Sequence, residues 1–362
     1  MSTPLKLNNV QALRAFAVLL VVLLHLLAVE VKYSQFDVLL PSFLRIGISG
    51  VDLFFVISGF IMVMVTGAYP AANSSERKLN ARRFFYLRVT RIYPLYWLVT
   101  ALVLAIFIIH PTFLNLPHFS VHYVINSFLL IPQQGLPLLM VGWSLIHEIY
   151  FYLVFSCLLL LPRKYLPLLL LVWLAVVIKG FAQLDYYDPD HNPFARIAFS
   201  PVTVEFIAGC YLALIFEHFS NRRVHFPAPE AAFMLGLVSL LLLWHFFSFD
   251  AQTIDVVGWT RVYLFTLPYV MMIYGAVAME KNRDQVAPPW LVAIGDHSYS
   301  IYLTHVLVLS VCGRIWKMFA WQGYLDNVVI LSLTLLAVIL LGRCCYQYLE
   351  KPALNYCRRF SP

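Results

Sequence analysis

The chain has 362 residues, 61% of them hydrophobic and 12% charged, with a mean hydropathy of +0.79 and a formal charge of +7. A soluble globular domain carries about 25% charged residues, so this chain could not cover its own surface if water were its solvent. The basic surplus calls for no nucleic acid, because topology and anionic headgroups account for it.

The composition predicts an all-α integral membrane protein of about ten transmembrane helices, forming one integral domain over residues 1–362. The first apolar run, residues 12–29, is broken only by Arg14 and His25. No small-residue cleavage site follows it, so it reads as a retained helix and not a signal peptide. Hydropathy places the helices near residues 11–30, 45–67, 92–110, 142–161, 165–181, 197–217, 230–249, 261–279, 292–312 and 326–347. The run 121–131 is too short to span and is expected to lie in the interface or to re-enter. Six cysteines at 157, 210, 312, 344, 345 and 357 show no metal-ligand spacing and read as small lipid-facing or core side chains.

Lysine and arginine set the orientation. With the N-terminus inside, the cytoplasmic segments hold 16 of the 25 basic residues and the opposite side seven. Both termini are therefore expected in the cytoplasm, and the acidic segment 185–190 outside. The longest basic stretch is the loop expected from Tyr69 to Arg91.

Ionisable groups within a membrane are costly, so each is a candidate for function. Arg14 and His25 are eleven residues apart, which at 100° per residue puts them on one helix face, roughly 16 Å apart along the axis. Each also has an ordinary reading: Arg14 snorkels to headgroups, and His25 is a hydrogen-bonded core histidine. Asp52 opens the next helix at a depth close to His25 and is placed to hold an imidazole in one tautomer, or else pairs with Arg45. Gly59 is expected to permit close helix packing. Arg88 and Arg91 share a face and suit a phosphate or pyrophosphate. Ser144 and Glu148 share a face of the fourth helix, Glu148 as a proton acceptor or orienter. His147 points elsewhere and reads as interfacial. Tyr302 lies one turn before His305, whose role is either a direct one or a structural hydrogen bond to a neighbouring helix. The candidates are too dispersed to imply a metal.

Several blocks together resemble the acyltransferase 3 family of membrane O-acyltransferases. They are Arg14 and His25 with ten residues between, Gly50-Val-Asp-Leu-Phe-Phe-Val-Ile-Ser-Gly-Phe60, Arg88-Val-Thr-Arg-Ile-Tyr-Pro94, Trp143-Ser-Leu with Glu148 and Tyr152, Gly295-Asp-His-Ser-Tyr-Ser-Ile-Tyr-Leu-Thr-His305, and Glu350-Lys-Pro352. The resemblance runs from about Val10 to Pro352. It implies transfer of an acyl group, commonly acetyl from acetyl-CoA, to a hydroxyl of a surface or lipid-linked polysaccharide at the outer side of the cytoplasmic (inner) membrane. Acetyl-CoA would be a donor substrate and not a resident cofactor. Carried over by position, His25 is the expected catalytic residue, Arg14, Arg88 and Arg91 belong to the donor site, and Glu148 is a functional outer residue. Asp52 is added as the orienting carboxylate. The chain ends soon after its tenth helix, so the stand-alone, exopolysaccharide-modifying form is expected. The competing class is a proton-coupled glycan transporter or flippase, which also uses buried His, Asp and Glu; the inverted repeats that would favour it are not seen.

Overall fold

The computed structural model describes residues 7–35, 37–69, 73–110, 119–184, 192–221, 225–246, 258–283, 285–319 and 324–361. The acidic segment 185–190 lies outside these residues. Among the described residues, fourteen α-helices follow in chain order: α1 (Asn8–Tyr33), α2 (Gly50–Thr66) led in by a 3₁₀ segment (Ser42–Ser49), α3 (Ser74–Ile109), α4 (Val121–Leu129), α5 (Gly142–Leu158), α6 (Leu166–Gln183), α7 (Pro193–Ala198), α8 (Thr203–Asn221), α9 (Pro229–Phe246), α10 (Trp259–Arg283), α11 (Pro289–Asp296), α12 (Ser298–Phe319), α13 (Tyr324–Cys345) and α14 (Lys351–Arg358). No strand occurs among the described residues. Nine helical segments there are long and apolar enough to cross a membrane, and Gly142–Leu158 is a shorter apolar helix of 17 residues. This is an all-α integral membrane protein. All six cysteines are free thiols.

Two predicted helices come out differently, and a third element is as short as expected. The helix expected from residue 92 starts at Ser74 and runs for 36 residues, so the expected loop up to Arg91 is helical over Ser74–Arg91. Asn73 caps it by accepting from the Glu76 backbone N–H at 2.8 Å, and Glu76 sits in the first turn, where the helix dipole favours a carboxylate. Hydropathy misses this part because its residues are good helix formers but polar. At 1.5 Å per residue the helix is about 54 Å long, well beyond the roughly 30 Å of hydrocarbon. The helix expected over 292–312 breaks at His297 into α11 and α12. The short run near 121–131 is the nine-residue α4, whose last carbonyls accept from three side chains of α3: Trp97 on Phe128, Tyr93 on Leu129 and Tyr96 on Ser127.

The helices group into two compact units. Unit 1 comprises residues 1–67 and 204–345, and unit 2 residues 68–203 and 346–362. In unit 1, α1 is the hub: the 3₁₀ segment, α2, α10, α11, α12 and α13 all pack against it. A Cβ on Gly50 would lie 2.4 Å from the Ala17 carbonyl oxygen, so only glycine lets the start of α2 reach α1. The expected packing glycine, Gly59, meets α8 with its hypothetical Cβ 1.9 Å from the Phe206 carbonyl oxygen, and Gly209 of α8 answers against Val56 at 2.0 Å. In unit 2, α3 packs on α4, α5 and α14, and α5 on α7.

Backbone meets backbone at Gly59, so no side-chain rotation can relieve a larger residue. Gly59→Leu is expected to cost at least the roughly 1–3 kcal/mol typical of overpacking. Thermal unfolding and the size-exclusion profile of the protein in detergent should show it; a wild-type melt would contradict the contact.

Candidate active site

In unit 1, α1 presents His25 half-buried. Its Nδ1 lies 2.9 Å from the Val21 carbonyl oxygen one turn earlier. A carbonyl can only accept, so Nδ1 carries the hydrogen and Nε2 keeps a lone pair. That is the tautomer a general base or a nucleophile needs, and the helix backbone sets it without a carboxylate. The expected orienting carboxylate Asp52 is bonded elsewhere, to Arg261, and His25 Nδ1 is held by the Val21 carbonyl.

α12 brings His305 to the same place, its ring centroid 5.1 Å from that of His25 and edge-on at 68°. His305 is fully buried, and its Nδ1 lies 2.6 Å from the Tyr302 carbonyl oxygen. By the same reasoning its Nε2 bears a lone pair, and this atom is buried with no hydrogen-bond partner. The Tyr302 ring packs 5.8 Å from His305, and Phe54 of α2 covers Tyr302 edge-on at 6.2 Å. Farther toward the start of α1, the half-buried Arg14 donates to the Gln11 side chain at 3.3 Å.

Asp52 has a different partner from the ones expected. Arg261 of α10 grips it with two parallel bonds, Nε to Oδ1 at 2.9 Å and Nη2 to Oδ2 at 2.5 Å, with both side chains at zero exposure. Nη2 also donates to the Ile48 carbonyl at 3.0 Å. Glu205 of α8 faces the same pair, its fully buried carboxyl within hydrogen-bonding and electrostatic reach of Asp52. Neither Arg261 nor Glu205 is singled out in the sequence. Arg261 reads there as one of the outer positive charges, while Glu205, a lone carboxylate inside an apolar run, carried a visible signal. Glu30 is likewise buried, accepting from the Leu39 and Leu40 backbone N–H groups at 2.7 and 2.9 Å and from Asn327 at 2.9 Å.

Unit 2 gathers the other predicted residues. Tyr152 donates its hydroxyl hydrogen to Glu148 one turn away on α5. The Arg88 guanidinium stands over the Phe84 ring at 5.5 Å, within electrostatic reach of Glu148, Tyr152 and Arg91. Ser144 is buried with its hydroxyl on the Val141 carbonyl at 3.1 Å. His147, expected at the interface, is instead buried, with Nδ1 3.1 Å from the Trp143 carbonyl oxygen and Nε2 3.3 Å from the Ser200 hydroxyl. The structure thus pairs His25 with His305 and gathers Arg88, Arg91 and Glu148, while Asp52 belongs to a separate ion pair.

The profile of a family described as an acyltransferase domain matches residues 7–343. The chain belongs to this acyltransferase 3 family. It is accordingly a membrane O-acyltransferase. Among similar proteins, the exopolysaccharide production protein ExoZ of Rhizobium meliloti is 31% identical over 86% of this acyltransferase and 90% of the relative. The acyltransferase MdmB of Streptomyces mycarofaciens is 24% identical, covering 99% and 94%. The peptidoglycan O-acetyltransferase OatA of Listeria monocytogenes is 24% identical, covering 98% of the acyltransferase but 57% of its own length. No solved structure matches.

The Asp52–Arg261 geometry separates a structural role from a catalytic one. Removing one partner of a buried pair leaves the other charge uncompensated, at about 3–5 kcal/mol. Arg261→Leu should therefore lower the melting temperature and folded yield sharply, because two carboxylates then remain in the interior. A melt like that of the wild type, with activity alone lost, would return Asp52 to the reaction.

Proposed function

We propose that this acyltransferase moves an acetyl group from acetyl-CoA to a hydroxyl of a surface or lipid-linked polysaccharide, acting from the cytoplasmic (inner) membrane with both termini inside. The observation that carries the reading is the His25 ring: Nδ1 committed to a carbonyl, Nε2 left as a base on a half-buried helix face. The names of its relatives support the acceptor class, one an exopolysaccharide production protein and one a peptidoglycan O-acetyltransferase. The unequal spread of lysine and arginine along the chain supports the orientation.

In the proposed step His25 Nε2 takes the proton of an acceptor hydroxyl as its oxygen attacks the thioester carbonyl. A C–O bond forms, the C–S bond breaks, and the proton passes from Nε2 to the departing thiolate. General-base catalysis of this kind contributes roughly 10²–10⁴-fold. Arg88 and Arg91 provide closely set guanidiniums for the donor's phosphates, the ligand class that arginine binds bidentately. Arg14 is assigned the same chemistry on its own helix. Glu148, which accepts from the Tyr152 hydroxyl, lies within electrostatic reach of Arg88 and offsets its charge.

Two measurements test this. His25→Ala should abolish transfer of labelled acetyl from acetyl-CoA in protein that inserts and melts normally; retained transfer would sink the central role. Arg88→Ala should raise KM for acetyl-CoA about tenfold or more and change kcat less, as loss of one charge-assisted contact worth about 1.5–3 kcal/mol implies. In cells, loss of acetyl ester with polymer still exported supports the enzyme. Loss of the polymer itself would support transport instead.

A further inference from the structure

His305 is a peculiar side chain to bury if its task is packing alone. It is fully enclosed on α12, its Nδ1–H is committed to the Tyr302 carbonyl, and its Nε2 is an acceptor with no donor. An unsatisfied buried polar atom costs about 1–3 kcal/mol, and a phenylalanine or leucine would fill similar space without that cost. Its polar neighbour is another imidazole, His25, edge-on at 5.1 Å between centroids. That separation is about one N–H···N bond of roughly 2.9 Å plus the two ring radii of about 1.1 Å each.

We propose that His305 is a positioning residue for His25, its buried lone pair standing beside the ring that becomes positively charged when the acceptor hydroxyl gives up its proton. The inference rests on the reading of His25 as the proton-transfer residue. In the resting state both rings keep Nδ1 on backbone carbonyls and both have Nε2 as an acceptor, so the pair holds one proton fewer than it can share. When the hydroxyl O–H breaks, the proton goes to His25 Nε2, and His305 is the unpaired acceptor next to the new imidazolium. The proton leaves by the same nitrogen to form the thiol S–H bond, and His305 makes and breaks no covalent bond. The Tyr302 ring on one side of His305, backed by Phe54, keeps the imidazole from turning away.

The test uses the purified full chain in detergent, acetyl-CoA labelled in the acetyl group, and oligosaccharides cut from the exopolysaccharide of the expressing strain. His305→Phe keeps an aromatic ring and removes the lone pair; His305→Gln restores a polar side chain of similar reach. The Phe variant should lose about 10–100-fold in kcat, the range typical when a supporting side chain of a reactive group is removed, with KM for acetyl-CoA within about twofold of wild type. The Gln variant should regain about tenfold over Phe, and His25→Ala should be silent. A Phe variant within about threefold of wild-type kcat would overturn the proposal, as would Gln and Phe variants equally impaired at normal melting temperatures. If the Phe variant does not fold, His305→Leu takes its place in the comparison with Gln. Activity surviving in His25→Ala would instead remove the underlying reading of His25, a result distinct from any failure at His305.

Discussion

The bidentate contact between Arg261 and Asp52 lies where neither charge can reach water, and unit 1 is arranged around that fact. Taking two such ions out of water costs several kcal/mol each, which is recovered only by close geometry and by satisfying the remaining donors. Both conditions are met: two parallel bonds join the pair, and the spare guanidinium nitrogen donates to the Ile48 carbonyl. The pair ties the start of α2 to the start of α10, and Gly50 lets the same end of α2 lie against α1. The helix that carries His25 is thereby packed against an element that cannot shift without exposing an unpaired charge.

Polar side chains elsewhere follow a cheaper rule. Thr66, Thr90, Ser156, Ser239 and Thr304 each donate to the carbonyl four residues earlier in their own helix. Such bonds need no neighbouring helix, which suits a solvent without donors or acceptors of its own. His25 uses the same device, and here it has a chemical consequence. The bond consumes Nδ1–H and leaves Nε2 basic, so an ordinary helix contact does what an orienting carboxylate would otherwise do. Against this background, the Nε2 of His305 beside His25 stands out, a buried acceptor with no donor.

Much of the architecture was legible because hydropathy reports directly on the length of apolar helices. Errors came where that signal is silent. The first half of α3 is polar, so its helicity shows only in its cap and in its helix-forming residues. The break at His297 falls on the short polar segment Gly295-Asp-His-Ser298, which a window long enough to find a span averages away against its apolar flanks. Within the site, the common face of Arg14 and His25 follows from helical periodicity alone, whereas the bond from Tyr152 to Glu148 was not singled out in the sequence. The partner of Asp52 did not follow, since Arg261 is 209 residues away and looks in sequence like one more flanking positive charge.

By itself, then, the sequence determined the membrane class and the approximate spans, and its resemblance to the family pointed to His25, Arg14, Arg88, Arg91 and Glu148 as candidates. Class and spans depend on composition and on the length of apolar runs, quantities that a linear chain carries. Tertiary structure alone decided that His25 meets His305, that Asp52 is held by Arg261 with Glu205 alongside, and that the His25 tautomer is set by a carbonyl. Those outcomes depend on which helices become neighbours, and helix periodicity says which face is polar but not what that face will meet.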